Sequence, residues 1–165
     1  TLLDELEALN NKILSKSDLQ IGFCHNDLLL GNIIHNPAKK SISVIDYEYG
    51  NTNYLSFELG NHFDEYAGIE TVDFNRYPDE VYQKWWLKIY LEEVHEQKNL
   101  GSVSDSQVDQ LFKEVNFFSL CGHFWWGTWS IFQTLNSDVD FDFADYSKIK
   151  LEEYFKQKEK FFNYI

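Results

Sequence analysis

Leu2, Leu3, Leu6, Leu9 and Ile13 recur at helical spacing with Asp4, Glu5 and Glu7 between them, which predicts an amphipathic helix over residues 2–16. The period then changes. Short apolar runs at 21–24, 33–35 and 42–45 read as strands, and the last two are joined by Asn36, Pro37, Ala38 and two lysines, the composition of a hairpin turn. A polar stretch containing Gly50, Asn51 and Asn53 is expected to be loop. Beyond it helical periodicity persists, predicting helices over 56–67, 79–97, 105–135 and 145–162. Ser104 followed by Gln107 is a capping-box start for the third of these. No repeat, low-complexity run or Gly/Ser-rich linker divides the chain. The expectation is one α+β unit, mainly helical, with a small β element at its front.

Composition narrows what such a unit does. At 165 residues, with 44% hydrophobic and 18% aromatic side chains, the chain builds a real core and is not a disordered acidic tail. Fourteen Lys and Arg against 27 Asp and Glu give a net charge of −13, and Arg76 is the single arginine. Surfaces that track nucleic-acid phosphates or anionic lipid need clustered cations, so both are excluded and cationic partners fit better. Cys24 and Cys121 lack a CxxC partner and the histidines are scattered, so neither a disulfide framework nor a zinc site is signalled. A reduced, cytoplasmic setting is the default. The most apolar stretch, residues 117–132, is interrupted by Cys121, Gly122, His123 and Gly127 and falls short of the roughly 20 residues of a membrane span. Met is absent and Thr stands first, so the chain reads as a fragment or a processed product.

Chemistry concentrates in His25-Asn26-Asp27-Leu28-Leu29-Leu30-Gly31-Asn32 and in Val44-Ile45-Asp46-Tyr47-Glu48. Asp27 and Asn32 stand at the spacing H-x-D-x-x-x-x-N, in which the acid receives or orients a hydroxyl proton and the amide binds Mg²⁺. Asp46 ends an apolar strand, where a second metal-binding carboxylate belongs, although Tyr-Glu follows it rather than Phe-Gly. Hard oxygen ligands suit the Mg²⁺ that neutralises a triphosphate. Singly, each of these residues could equally close a turn, and Asp46 could cap the hairpin. In order on strand–loop–strand, the three point to phosphoryl transfer. Glu48, two residues after Asp46, would share its face on an extended segment and support the metal.

The segments HNDLLLGNII, IDYEYGNTNYLSFELGNHFDEYAG and HFWWGTWSIFQ resemble the choline/ethanolamine kinase family, over nearly all of residues 21–162. That resemblance implies the C-terminal lobe of a protein-kinase-like (aminoglycoside phosphotransferase-like) fold, in which the small hairpin carries the catalytic loop. It implies ATP and Mg²⁺ as cofactors and phosphorylation of an amino-alcohol, the first step of CDP-ethanolamine phospholipid synthesis. By resemblance Asp27 is the base and Asn32 and Asp46 are the metal ligands. His25 is a structural member of the same loop, and Glu58 and Asn61 brace it. The amine would meet Glu65 and an aromatic cage of Trp126, Trp129 and Tyr146, while Trp85, Trp86 and Trp125 pack. A quaternary ammonium is held by aromatic faces, whereas a primary ammonium also needs acceptors, and the chain offers both. Leu29 stands where choline kinases typically carry Gln. Asp64-Glu65-Tyr66-Ala67-Gly68, Val72-Asp73-Phe74 and Tyr77-Pro78-Asp79 resemble the ethanolamine subgroup. Asp138, Asp140, Asp142 and Asp145 read as a solvated run that could attract a cation.

A kinase also needs a phosphate cradle and a lysine on the nucleotide phosphates, and no G-x-G-x-x-G or Walker A pattern occurs among the eight glycines. The N-terminal ATP-binding lobe is therefore expected to be missing, and the isolated chain to be inactive or nearly so. Its partners would be that lobe and a small cationic amino-alcohol, with a homodimer allowed. Choline kinase, a kinase for an aminoglycoside or sugar, and a non-catalytic scaffold lobe remain as alternatives.

Overall fold

The computed structural model describes residues 1–165 and holds five α-helices and four short strands. After α1 (Leu2–Leu14) comes β1 (Ile21–Cys24), whose partner is the distant β4 (Asn51–Tyr54): the two are antiparallel, with Ile21 opposite Tyr54 and Cys24 opposite Asn51. Inside that pair lies the hairpin of β2 (Ile33–Asn36) and β3 (Ser41–Val44), with Ile33 opposite Val44. The hairpin was legible. β4 falls on the stretch expected as loop, because Asn-Thr-Asn carries no apolar signal and little strand propensity. It forms because its backbone completes the ladder to β1 and its last residue lays a ring on the helical body, Tyr54 against Phe118 at 5.2 Å between centroids. The loop bearing Asp27 thus runs from one two-stranded sheet to the other, rather than riding on the hairpin alone.

The body consists of α2 (Leu55–Asp64), α3 (Glu80–Gln97), α4 (Asp105–Asn136) and α5 (Phe143–Phe161). The helix predicted over 56–67 divides: α2 ends at Asp64, and a single 3₁₀ turn, Glu65–Ala67, follows. Gly68 closes that turn at φ +83°, a left-handed conformation that glycine alone adopts freely. At the start of α4 the side chain of Gln107 accepts from Ser104 N–H at 2.8 Å, as its capping box predicts. α5 begins at Phe143 because Asp142 caps it, accepting from Asp145 N–H at 2.9 Å. One member of the acidic run is therefore structural.

α4 is apolar around much of its circumference because α2, α3 and α5 all pack on it. Phe117, Phe118, Leu120 and Phe124 join Leu9, Phe57, Tyr154 and Phe161 in one core cluster. Val108, Phe112 and Val115 join Leu59, Phe63 and Leu87 in the other. Gly60 allows α2 to press its backbone on α4: a Cβ there would lie 2.6 Å from the Val115 carbonyl oxygen and 2.7 Å from Ser119 N. Trp86 packs on Phe63, but Trp85 and Trp125 do not enter the core: they are 57% and 51% exposed, each on the outward side of its helix. The outer faces of the sheets leave Phe23 and Ile42 about as open. No helix is long and apolar enough to cross a membrane.

Candidate active site

The loop after β1 is held on one side by α2. Glu58 accepts from the backbone N–H groups of His25 at 3.0 Å and Asn26 at 2.7 Å, one on each carboxylate oxygen. Asn61, one turn along, donates to the Asn26 carbonyl at 3.1 Å, and His62 meets the Leu28 carbonyl at 2.8 Å. Asn26 needs this support because its φ of 65° is left-handed, a conformation tolerated by Asn only at some strain. Its side chain is used twice more, donating to the Tyr49 carbonyl at 2.8 Å and accepting from Asn53 of β4 at 2.9 Å. His25 is buried; its Nδ1 accepts from Asp27 N–H at 3.3 Å, which leaves Nε2 to donate to the Ile45 carbonyl at 2.7 Å. That bond stitches the loop to the segment after β3 that bears Asp46.

Asp27 follows directly. Asn32 donates from Nδ2 to the Asp27 carbonyl at 2.9 Å and to its Oδ2 at 3.1 Å, so the amide and the acid form one unit. Desolvation, assisted by the negative charge of Glu65, pushes the Asp27 carboxyl up to about 6. Ile45 N–H donates to the Asn32 carbonyl at 3.0 Å, which places Asp46 beside the pair, at a left-handed φ of 64°. No three His, Cys, Asp or Glu side chains gather as a self-sufficient metal cage. What the chain offers is Asn32 Oδ1, which neither amide bond uses, and the exposed carboxylate of Asp46. Two hard oxygens, with the remaining positions left to phosphates and water, fit Mg²⁺. Glu48 does not share an extended face with Asp46. Residues 47–50 form a tight turn, Gly50 N–H donating to the Tyr47 carbonyl at 2.8 Å, and Glu48 lines a cavity instead.

That cavity, about 270 Å³, has Asp27, Glu48 and Glu65 on its walls together with Trp126, Trp129 and Tyr146. Trp126 and Trp129 meet edge to face at 5.3 Å, and Trp126 donates its indole N–H to Asn61 Oδ1 at 2.7 Å. Asn61 therefore ties the acid-bearing loop to the aromatic wall through one amide. Ring faces and a buried carboxylate such as that of Glu65 are groups that can stabilise an ammonium. Of the residues singled out in the sequence, Asp27, Glu65, Trp126, Trp129 and Tyr146 line this one cavity, while His25, Asn32, Glu58 and Asn61 hold the loop that carries Asp27.

Other members went unnoticed. Tyr49 stands edge-on to Trp126 at 5.4 Å, and its adjacency to Glu48 was the available signal. Phe141 and Phe143 were hidden in the acidic run, where their alternation with Asp140 and Asp142 marks a two-sided segment. Lys150 on α5, 3.8 Å from Glu65 and 1% exposed, had no sequence signal at all. Burial raises the Glu65 carboxyl while the Lys150 ammonium opposes that rise.

A model of the choline/ethanolamine kinase family matches residues 1–155. Ethanolamine kinase 1 of Mus musculus is 43% identical over 158 residues, covering 95% of this chain and 44% of that protein. Among solved structures, an ethanolamine kinase of Plasmodium vivax superimposes with a TM-score of 0.76 at 32% identity, over 90% of this chain and 37% of that one. A choline kinase of Cryptosporidium parvum gives a TM-score of 0.78 at 26% identity, over 96% and 48%. The chain spans less than half the length of these relatives.

Proposed function

Because the chain belongs to the choline/ethanolamine kinase family, we propose that it forms the C-terminal lobe of an ethanolamine kinase, which transfers the γ-phosphoryl group of ATP to the hydroxyl of ethanolamine. The observation that carries the reading is the shared cavity: an acid poised to take a hydroxyl proton and an aromatic, carboxylate-bearing wall suited to an ammonium lie on one surface. The substrate's ammonium rests against Trp126, Trp129 and Tyr146 with Glu65 as counter-charge, and its hydroxyl reaches Asp27. Asp27, oriented by Asn32 and raised by its dry setting, accepts that proton as the oxygen attacks phosphorus. Mg²⁺, held by Asn32 Oδ1 and Asp46, would supply charge neutralisation for the phosphates. Glu48 adds negative charge to the amine wall.

The remaining parts come from an N-terminal lobe. The open apolar outer faces of the two sheets, at Phe23 and Ile42, support such a neighbour. The product, phosphoethanolamine, belongs to phospholipid synthesis in the cytoplasm, and one copy of the site suffices whether or not the enzyme dimerises. Choline is the second reading, favoured by the ring faces and by the choline kinase among the structural neighbours. A coupled assay of ADP release by the parent protein tests both. Ethanolamine is expected to support turnover with a higher kcat/KM than choline, and Asp27→Asn to lower kcat by about 10²- to 10⁴-fold. A choline preference overturns the substrate, and wild-type turnover by Asp27→Asn overturns the mechanism.

A further inference from the structure

We propose that Lys150 is a positioning residue for the amine site, holding the Glu65 carboxylate against the cavity wall so that it receives the substrate's ammonium. The inference rests on the reading of that cavity as the amine site. Lys150 projects from α5 and Glu65 opens the 3₁₀ turn after α2, so their contact joins two elements far apart in the chain. Both side chains are buried, at 1% and 7% exposure, and Nζ lies 3.8 Å from Glu65 Oε1. The same ammonium sits 5.3 Å from the ring centre of Tyr146, so it touches two of the residues that line the cavity.

A buried lysine is stable only where its charge is matched, and here the matching charges are acids of two elements: Glu65 of the 3₁₀ turn and Asp64 of α2. Glu65 in turn faces other negative groups, Asp64 beside it and Asp27 across the cavity, and Lys150 is the ammonium that offsets them. Its carboxylate accepts no hydrogen bond from a neighbouring donor, so the ion pair is what restrains its rotamer. Without Lys150 the carboxylate is repelled from the wall or takes a proton, and either change removes the counter-charge an ammonium needs. Lys150 draws on Oε1 at the long end of ion-pair distance, which leaves Oε2 to the incoming amine.

The test is a set of steady-state measurements on the parent enzyme with ethanolamine varied at saturating ATP and Mg²⁺. Lys150→Met, which keeps the side-chain length and loses the charge, is expected to raise the KM for ethanolamine by about tenfold or more while kcat changes much less. Lys150→Arg is expected to restore the low KM. In a Glu65→Gln background, Lys150→Met is expected to add nothing, because the two act through one contact. Thermal melting reports folding separately. If Lys150→Met alone does not fold, the doubly substituted Glu65→Gln/Lys150→Met, which removes both charges, is compared with Glu65→Gln: equal KM values support the proposal and a further rise overturns it. A folded Lys150→Met with the wild-type KM, or an equal rise with and without Glu65, also overturns it. No ethanolamine-dependent turnover, or a Glu65→Gln enzyme with the wild-type KM, strikes instead at the reading of the cavity, and the role of Lys150 falls with it.

Discussion

Asp64 has 1% of its surface exposed between α2 and α4; Ser119 donates to its Oδ1 at 2.6 Å, His123 Nε2 lies 3.3 Å from the same oxygen, and Oδ2 has no hydrogen-bond partner. Desolvation raises its carboxyl well above the usual range, only partly offset by Lys150, and the same burial holds His123 below its usual value. The consequences for stability have opposite signs. A carboxyl whose folded pKa is raised favours the native state at low pH and loses that contribution as pH rises through the folded value. His123 contributes above its unfolded value, near 6.5, and loses that contribution as pH falls below it. Above about pH 6.5 the histidine is neutral in both states. The slope of urea stability against rising pH is therefore expected to be more negative in the wild type than in Asp64→Asn. An unchanged slope in Asp64→Asn would assign it to another group. At this scale the Asp27–Asn32 pair was readable because both residues lie in one loop at a spacing the chemistry requires. Lys150 was not, because only folding brings its ammonium to Glu65.

Among the elements, the α2–α4 contact is the one on which the site depends, since α2 holds the loop through Glu58, Asn61 and His62 and α4 supplies Trp126 and Trp129. Gly60 sets their separation. Gly60→Ala gains helix propensity but forces a methyl into the backbone of α4, and overpacking of this kind costs about 1–3 kcal/mol. The melting midpoint is expected to fall by roughly 2–4 °C per kcal/mol in a chain of this size. A midpoint at or above that of the wild type would show that the two helices have room to separate. The periodic helices and the β2–β3 hairpin were legible because hydrophobic repeat and turn chemistry are local properties. β4 was not: it is polar, and long-range pairing with β1 decides its conformation.

For the whole molecule, α4 threads both core clusters, so neither half has a core that survives without it. Unfolding is expected as one transition, with tryptophan fluorescence and far-ultraviolet circular dichroism coincident, and Phe117→Ala is expected to shift both together by about 3–5 kcal/mol. Two separated transitions would mean that the clusters fold independently. The excess of acid has by now divided into kinds: Asp27, Glu48 and Glu65 face a cavity, Asp142 caps a helix, half-buried Glu58 braces the Asp27 loop, Asp64 is buried in the body's contacts, and many of the others are solvated. By itself the sequence determined the helical class, the hairpin and the acid–amide loop, because each is written in residues near one another along the chain. The tertiary structure alone decided that β4 exists, that Glu48 turns into the cavity, that Trp85 and Trp125 face outward and that Lys150 meets Glu65. Each of those outcomes depends on which distant surface reaches a residue once the helices have packed.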